Sequence, residues 1–94
     1  MSFDDKIHLN IIISGRVQGV GYRFAARNMA ITLGIKGSIK NLINGNVYIE
    51  AEGTRIQLNK FVEWCYKGPV YAGVEEVITE EAGLINYKYF DILR

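Results

Sequence analysis

The chain has 94 residues, 49% of them hydrophobic, a composition that fits one folded domain and excludes an intrinsically disordered protein. Its formal net charge of +1 argues against a nucleic-acid or membrane partner and favours a small local anion site over a long basic groove. Cys65 is the only cysteine, which excludes an intramolecular disulfide, and no apolar run approaches the roughly 20 residues needed to span a bilayer. We expect one cytoplasmic, monomeric domain over residues 1–94, in which the polar residues 1–6 form a flexible tail without a signal-peptide core.

The first half of the chain predicts a strand, a glycine-rich loop and a helix. Ile7 to Ser14 alternate with period two and are rich in β-branched residues, which favours a strand. Apolar residues from Tyr22 to Leu33 follow helical spacing, and Gly34 stands where a left-handed cap ends a helix. The intervening glycines predict a tight turn with exposed backbone N–H groups.

The second half predicts one more helix and several strands. Thr54 to Gln57 fits a capping box, and the helix that it begins ends at Gly68-Pro69. Asn44-Gly45 is a strong hairpin signal. Val74 is expected on the same face as Glu76, in a weakly patterned edge strand. The predicted strands after the first are Ile35–Leu42, Asn46–Glu52, Val74–Glu81 and Tyr89–Leu93.

The order β-α-β-β-α-β, with a short extra C-terminal strand, predicts an α+β ferredoxin-like two-layer sandwich: an antiparallel sheet with two helices on one face. Right-handed crossovers favour this arrangement, in which the first two strands run in the same direction, so their C-terminal ends meet at one edge of the sheet. Asn41 has the parity of Ile39, which belongs on the helix-covered face. We therefore expect Asn41 and Arg23 at the same rim as the glycine loop.

A strand–glycine loop–helix junction is a favourable anion site, because free amides and the helix dipole both attract negative charge. Arg23 opposes that dipole at a cost of ~0.3–1 kcal/mol, which a bound phosphate would offset. The candidate phosphate-binding amides belong to Gly15, Arg16, Val17, Gln18, Gly19, Val20, Gly21, Tyr22 and Arg23.

The residues at this rim restrict the chemistry. The loop has no histidine, cysteine, serine or carboxylate, and the sequence offers no cluster for a metal. Hydrolysis without an acid needs a leaving group that departs unprotonated, such as the carboxylate of a phosphoric–carboxylic anhydride. Arg23 can clamp a phosphate through two hydrogen bonds, and the side chain of Asn41 can orient a water.

Gly15 to Arg23 resembles the signature of the acylphosphatase family, and Gly37 to Asn41 with Asn44 to Val47 resembles its second motif. The resemblance implies a hydrolase, without metal or cofactor, that cleaves an acyl phosphate to a carboxylate and inorganic phosphate, the latter a product and inhibitor. The family's phosphate-binding arginine matches Arg23, its water-orienting asparagine matches Asn41, and its loop amides match residues 16–23. Ser38 and Asn44 replace residues that are often aromatic and Asp, respectively. We expect Ser38 to change sheet packing rather than chemistry.

Other interpretations remain open at this point. The same loop could serve a non-catalytic anion- or ligand-binding ferredoxin-like module. Single-stranded RNA binding would need exposed aromatic residues on the central strands, which offer only Tyr48. The resemblance also extends to a domain of a larger carbamoyl-transfer enzyme, although we expect a free-standing protein. Cys65 is expected in the core, and His8 is expected as a surface cross-strand residue.

Overall fold

The computed structural model of the chain describes residues 5–94. The tail predicted for residues 1–6 lies outside the described residues except for Asp5 and Lys6, and Lys6 already begins the first strand. The predicted order of elements is confirmed, with ends that shift by a residue or two. The elements are β1 (Lys6–Arg16), α1 (Tyr22–Leu33), β2 (Lys36–Asn41), β3 (Val47–Thr54), α2 (Arg55–Lys67), β4 (Gly73–Ala82) and β5 (Phe90–Ile92).

The strands form one sheet in the order β4-β1-β3-β2-β5. β1 and β2 both pair antiparallel with β3, so they run in the same direction, as predicted. The two-layer sandwich is confirmed and β1 to β4 pair antiparallel as predicted, but the short C-terminal strand β5 pairs parallel with β2, which makes the sheet mixed. The chain reverses after β4, which is antiparallel to β1, and therefore enters the opposite edge of the sheet in the direction of β2.

The two helices pack on one face of the sheet. Their buried residues include Ala26 and Ala30 from α1 and Leu58 and Phe61 from α2, and they meet the inward isoleucines of β1, β2 and β3. Cys65 is fully buried in this core, which confirms its predicted place. The predicted capping box at Thr54 and the left-handed cap at Gly34 are both present. Neither helix of residues 5–94 is long and apolar enough to cross a bilayer.

His8 lies on the sheet face opposite the helices. The prediction that it is a surface residue is wrong, because its side chain is only 1% exposed. Its Nδ1 lies 2.7 Å from Glu52 Oε2, its Nε2 lies 2.8 Å from Asn10 Oδ1, and the ring of Tyr87 stacks on it. Sequence alternation correctly assigned His8 to the polar face. It did not show that the chain between β4 and β5 covers this end of the face.

Glu52 holds that covering segment in place. Its carboxylate accepts hydrogen bonds from the backbone amides of Ile85, Asn86 and Tyr87 at 2.6, 2.9 and 3.0 Å. Burial alone would raise the pKa of Glu52, but the hydrogen bonds with His8 and with the amides of Ile85 and Tyr87 lower it from its usual value. Ser38 is also buried on this face, beside Tyr87.

A register shift in the β1–β4 pair corrects the prediction for Val74. Ser14 pairs with Glu76 whereas Gly15 pairs with Val74, so Glu75 forms a bulge. The extra residue turns Val74 against the core, away from the face of Glu76.

Gly15 permits the close approach of β4, because a Cβ at its φ of 116° would lie 2.3 Å from the carbonyl oxygen of Gly73.

Candidate active site

The loop after β1 is shorter than the sequence suggested. Gly15 and Arg16 were predicted as loop residues, but they extend β1 and pair with Val74 and Gly73. The irregular segment is therefore limited to residues 17–21. Val17 is buried and its amide donates to the carbonyl of Gly15 at 3.1 Å, which anchors the start of the loop.

The loop leads into α1 through Gly21, which caps the helix in a left-handed conformation (φ 79°) that disfavours other residues. No side chain caps this end, and the first turn contains no acidic residue. Within the described part of the chain, the amides of residues 18–23 donate to no other group. This end of α1 thus presents free N–H donors and the positive end of the helix dipole.

Arg23 adds a full positive charge to the first turn of α1. Its side chain is half-buried, whereas Arg16 at the end of β1 is exposed. The ion pairs found among residues 5–94 involve only the basic side chains of His8 and Arg55, so the Arg23 guanidinium has no carboxylate partner there. A half-buried, unpaired guanidinium beside free amides strongly favours an anion.

Asn41 lies at the end of β2, where it pairs with Val47 of β3. Arg23 and Asn41 line the same cavity of about 230 Å³, as the parity of Asn41 predicted; the other lining residues are Val17, Gly19, Gly21, Tyr22 and Phe24. Asn41 Oδ1 is buried and accepts no hydrogen bond from residues 5–94. A buried acceptor without a partner is costly, so this oxygen favours a donor supplied from outside the chain.

Gln18 has a structural role that sequence reasoning missed. Its Nε2 donates to the carbonyls of Leu42 and Asn46, both at 2.8 Å. These residues bracket the predicted Asn44-Gly45 turn, which is further closed by a bond from the Leu42 amide to the Asn46 carbonyl. Gln18 therefore fixes the loop before α1 to the turn that follows Asn41. The spacing of residues in the sequence does not reveal that the Gln18 side chain bonds the backbone of residues far along the chain.

The arrangement offers positioning and charge rather than an acid, a base or a metal. No carboxylate or imidazole is among the residues that line this cavity. Across residues 5–94, no three His, Cys, Asp or Glu side chains are placed to hold a metal ion. Free amides, one guanidinium and one amide side chain suit phosphoryl transfer to water when the leaving group needs no protonation.

Comparisons with known proteins identify the family to which the chain belongs. The acylphosphatase family model matches residues 9–92. A protein named acylphosphatase from Acaryochloris marina is 46% identical over 88 residues, which cover 94% of this chain and 95% of that protein. The solved structure of an acylphosphatase from Coxiella burnetii superposes with a TM-score of 0.93 at 33% identity and covers 99% of this chain and all of that one. Full-length HypF, solved in a phosphate- and nucleotide-bound form, matches 97% of this chain with 12% of its own length, at 28% identity and a TM-score of 0.87.

Proposed function

The chain belongs to the acylphosphatase family and is an acylphosphatase, and from this premise we propose where its substrate binds and which groups act. The phosphoryl group of a small acyl phosphate sits against the amides of residues 18–23 and the Arg23 guanidinium, and Asn41 holds the attacking water. The observation that carries the proposal is the shared cavity of Arg23 and Asn41, in which Asn41 Oδ1 is buried without a partner. The family assignment favours this enzyme over the non-catalytic module considered from the sequence.

Two sets of donors neutralise the phosphate in this proposal. The free amides at the start of α1 hydrogen bond its oxygens, and the helix dipole favours their charge. Arg23 contributes a planar fork that matches two phosphate oxygens. We centre the cradle on residues 18–23, because the Val17 amide already donates to the carbonyl of Gly15 and because Gly15 and Arg16 belong to β1.

Asn41 orients the nucleophile. Its Oδ1 accepts a hydrogen bond from water, which fixes the water's lone pair toward phosphorus. The water oxygen bonds to phosphorus while the bond from phosphorus to the acyl oxygen breaks, and the carboxylate leaves with that electron pair. One proton of the water passes to a phosphate oxygen, giving dihydrogen phosphate. The cavity lining supplies no carboxylate or imidazole to take this proton, so the substrate phosphate serves as the base.

We further propose that the enzyme acts as a monomer in the cytoplasm. The fully buried, unpaired Cys65 fits a reducing compartment, although it would persist elsewhere because it is inaccessible. Sedimentation equilibrium tests the monomer, and cell fractionation tests the location. A stable dimer or a secreted protein would contradict this part of the proposal.

Titration with inorganic phosphate, followed by amide chemical shifts, tests the placement of the phosphoryl group. We expect the largest shifts at residues 18–23 and at the Arg23 side chain, because those donors would contact the anion. The amides of Gly34, at the C-terminal end of α1, and Gly53, which pairs with Ile7 at the start of β1, lie at the opposite end of the fold and serve as internal controls. Saturable shifts centred elsewhere would contradict the proposed site.

A further inference from the structure

The cavity that holds Arg23 and Asn41 also contains an exposed aromatic ring without a role in phosphate binding. Phe24 follows Arg23 in the first turn of α1, lines the same cavity and is 68% exposed. Exposure of a ring this large forgoes the stabilisation that its burial would bring. Isolated exposed apolar residues are common, so the position of Phe24 on the cavity matters more than its exposure.

The other lining residues leave no polar group to recognise an acyl group. Among the described residues that line the cavity, Arg23 and Asn41 are the only ones with polar side chains apart from Tyr22, whose hydroxyl donates to the carbonyl of Cys65 at 2.7 Å. Val17 is buried and the remaining two residues are glycines. Once the phosphate occupies Arg23 and the amides, the lining that remains for the rest of the substrate is apolar.

We propose that Phe24 forms an acyl-binding subsite that selects acyl phosphates with an apolar, preferably aromatic, acyl group. This inference rests on the proposed placement of the phosphoryl group. In-line displacement puts the leaving carboxylate opposite the attacking water, so the acyl group projects from phosphorus away from that water. Phe24 adjoins Arg23 in sequence, lines the cavity and is mostly exposed, so its ring is available to stack on a planar acyl substituent.

The test compares kcat/KM for benzoyl phosphate with kcat/KM for acetyl phosphate, because these substrates share the phosphoryl group and differ in the acyl group. We expect Phe24→Ala to lower the benzoyl-to-acetyl ratio by roughly 2- to 10-fold, the range of an aromatic contact, mainly through the KM for benzoyl phosphate. Phe24→Tyr should restore the ratio. Tyr66→Ala removes a similarly exposed ring from α2, away from this cavity, and should leave the ratio unchanged.

An unchanged ratio in Phe24→Ala, or an equal loss on both substrates, would overturn the acyl subsite. Failure of the phosphate site itself gives a different result. In that case Arg23→Ala would retain activity on both substrates, whatever the ratio in Phe24→Ala. The two claims can therefore fail separately. Thermal unfolding of each variant confirms that the ratios are measured on folded protein.

Discussion

Arg23 and Asn41 line one cavity, although Arg23 lies in the first turn of α1 and Asn41 at the end of β2. The parallel course of β1 and β2 brings these two chain segments to the same edge of the sheet. Neither polar group is satisfied by the described residues: the Arg23 guanidinium has no carboxylate partner and Asn41 Oδ1 accepts no hydrogen bond. An anion at Arg23 and a hydrogen-bond donor at Asn41 would satisfy both.

Asn41→Ala separates water orientation from phosphate binding. We expect kcat to fall on the order of 10²-fold, while the inhibition constant for inorganic phosphate stays close to that of the wild type. The variant also removes a buried, unpaired acceptor, so its free energy of unfolding should be unchanged or raised by up to ~1 kcal/mol. Steady-state kinetics and urea unfolding measure these quantities. A parallel loss of phosphate affinity would place Asn41 on the phosphate instead.

Gln18→Met tests whether the link between the loop and the β2–β3 turn positions the site. Loss of the two bonds to Leu42 and Asn46 should cost ~1–2 kcal/mol of unfolding free energy and lower kcat/KM. Gln57→Met is a matched control, because the Gln57 side chain also bonds the backbone, accepting from the Thr54 amide, but lies in the capping box of α2. It should lose stability without a kinetic effect. Wild-type kinetics in a destabilised Gln18→Met would contradict the positioning role.

These residues show which parts of the structure follow from sequence. Periodicity and turn residues predicted the element order because they depend on local geometry. Strand parity, combined with the crossover rule for β-α-β units, placed Asn41 at the loop. The partners of Gln18 and the burial of His8 depend on segments distant in sequence, which no local pattern identifies. The bulge that turns Val74 inward likewise arises only when β4 pairs with β1.

Gly15→Ala and Gly21→Ala distinguish steric exclusion from backbone strain. Both positions have positive φ, but a Cβ at Gly15 would clash with the Gly73 carbonyl, whereas one at Gly21 meets nothing within 4 Å. We expect Gly15→Ala to cost about 2–6 kcal/mol of unfolding free energy and Gly21→Ala about 1–2 kcal/mol. Urea denaturation of both proteins measures the difference, and equal losses would show that β4 yields to the added methyl group.

The His8–Glu52 pair should make stability depend on pH in two directions. Burial would lower the pKa of His8, but hydrogen bonds to Glu52 and Asn10 and the charges of Glu52 and Glu50 raise it above 6.5. The stability that this raised pKa adds to the folded state is fully present below pH 6.5 and is lost as pH rises through the pKa of His8 in the folded protein. The lowered pKa of Glu52 adds stability that is present above pH 4.5 and is lost as pH falls through its folded-state value. The pair therefore stabilises most between pH 4.5 and 6.5.

His8→Gln removes the titration of His8 and should flatten the decline in unfolding free energy above pH 6.5. Urea unfolding of the variant and the wild type measures this decline when it is done at two pH values, about one unit below and about two units above pH 6.5 (roughly pH 5.5 and pH 8.5). The same decline in both proteins would assign the pH dependence to other groups.

The activity of Arg23 variants tests the proposed site most directly. On acetyl phosphate, Arg23→Ala should lower kcat/KM by at least ~100-fold and weaken inhibition by inorganic phosphate, because among residues 5–94 it removes the only charged group that lines the cavity. Arg23→Lys should recover part of this loss, since it keeps the charge without the planar fork. Arg55→Ala removes an exposed arginine on α2 and should retain wild-type kinetics. Folded Arg23→Ala protein with near-wild-type kcat/KM would contradict the assignment of the phosphate to this cavity.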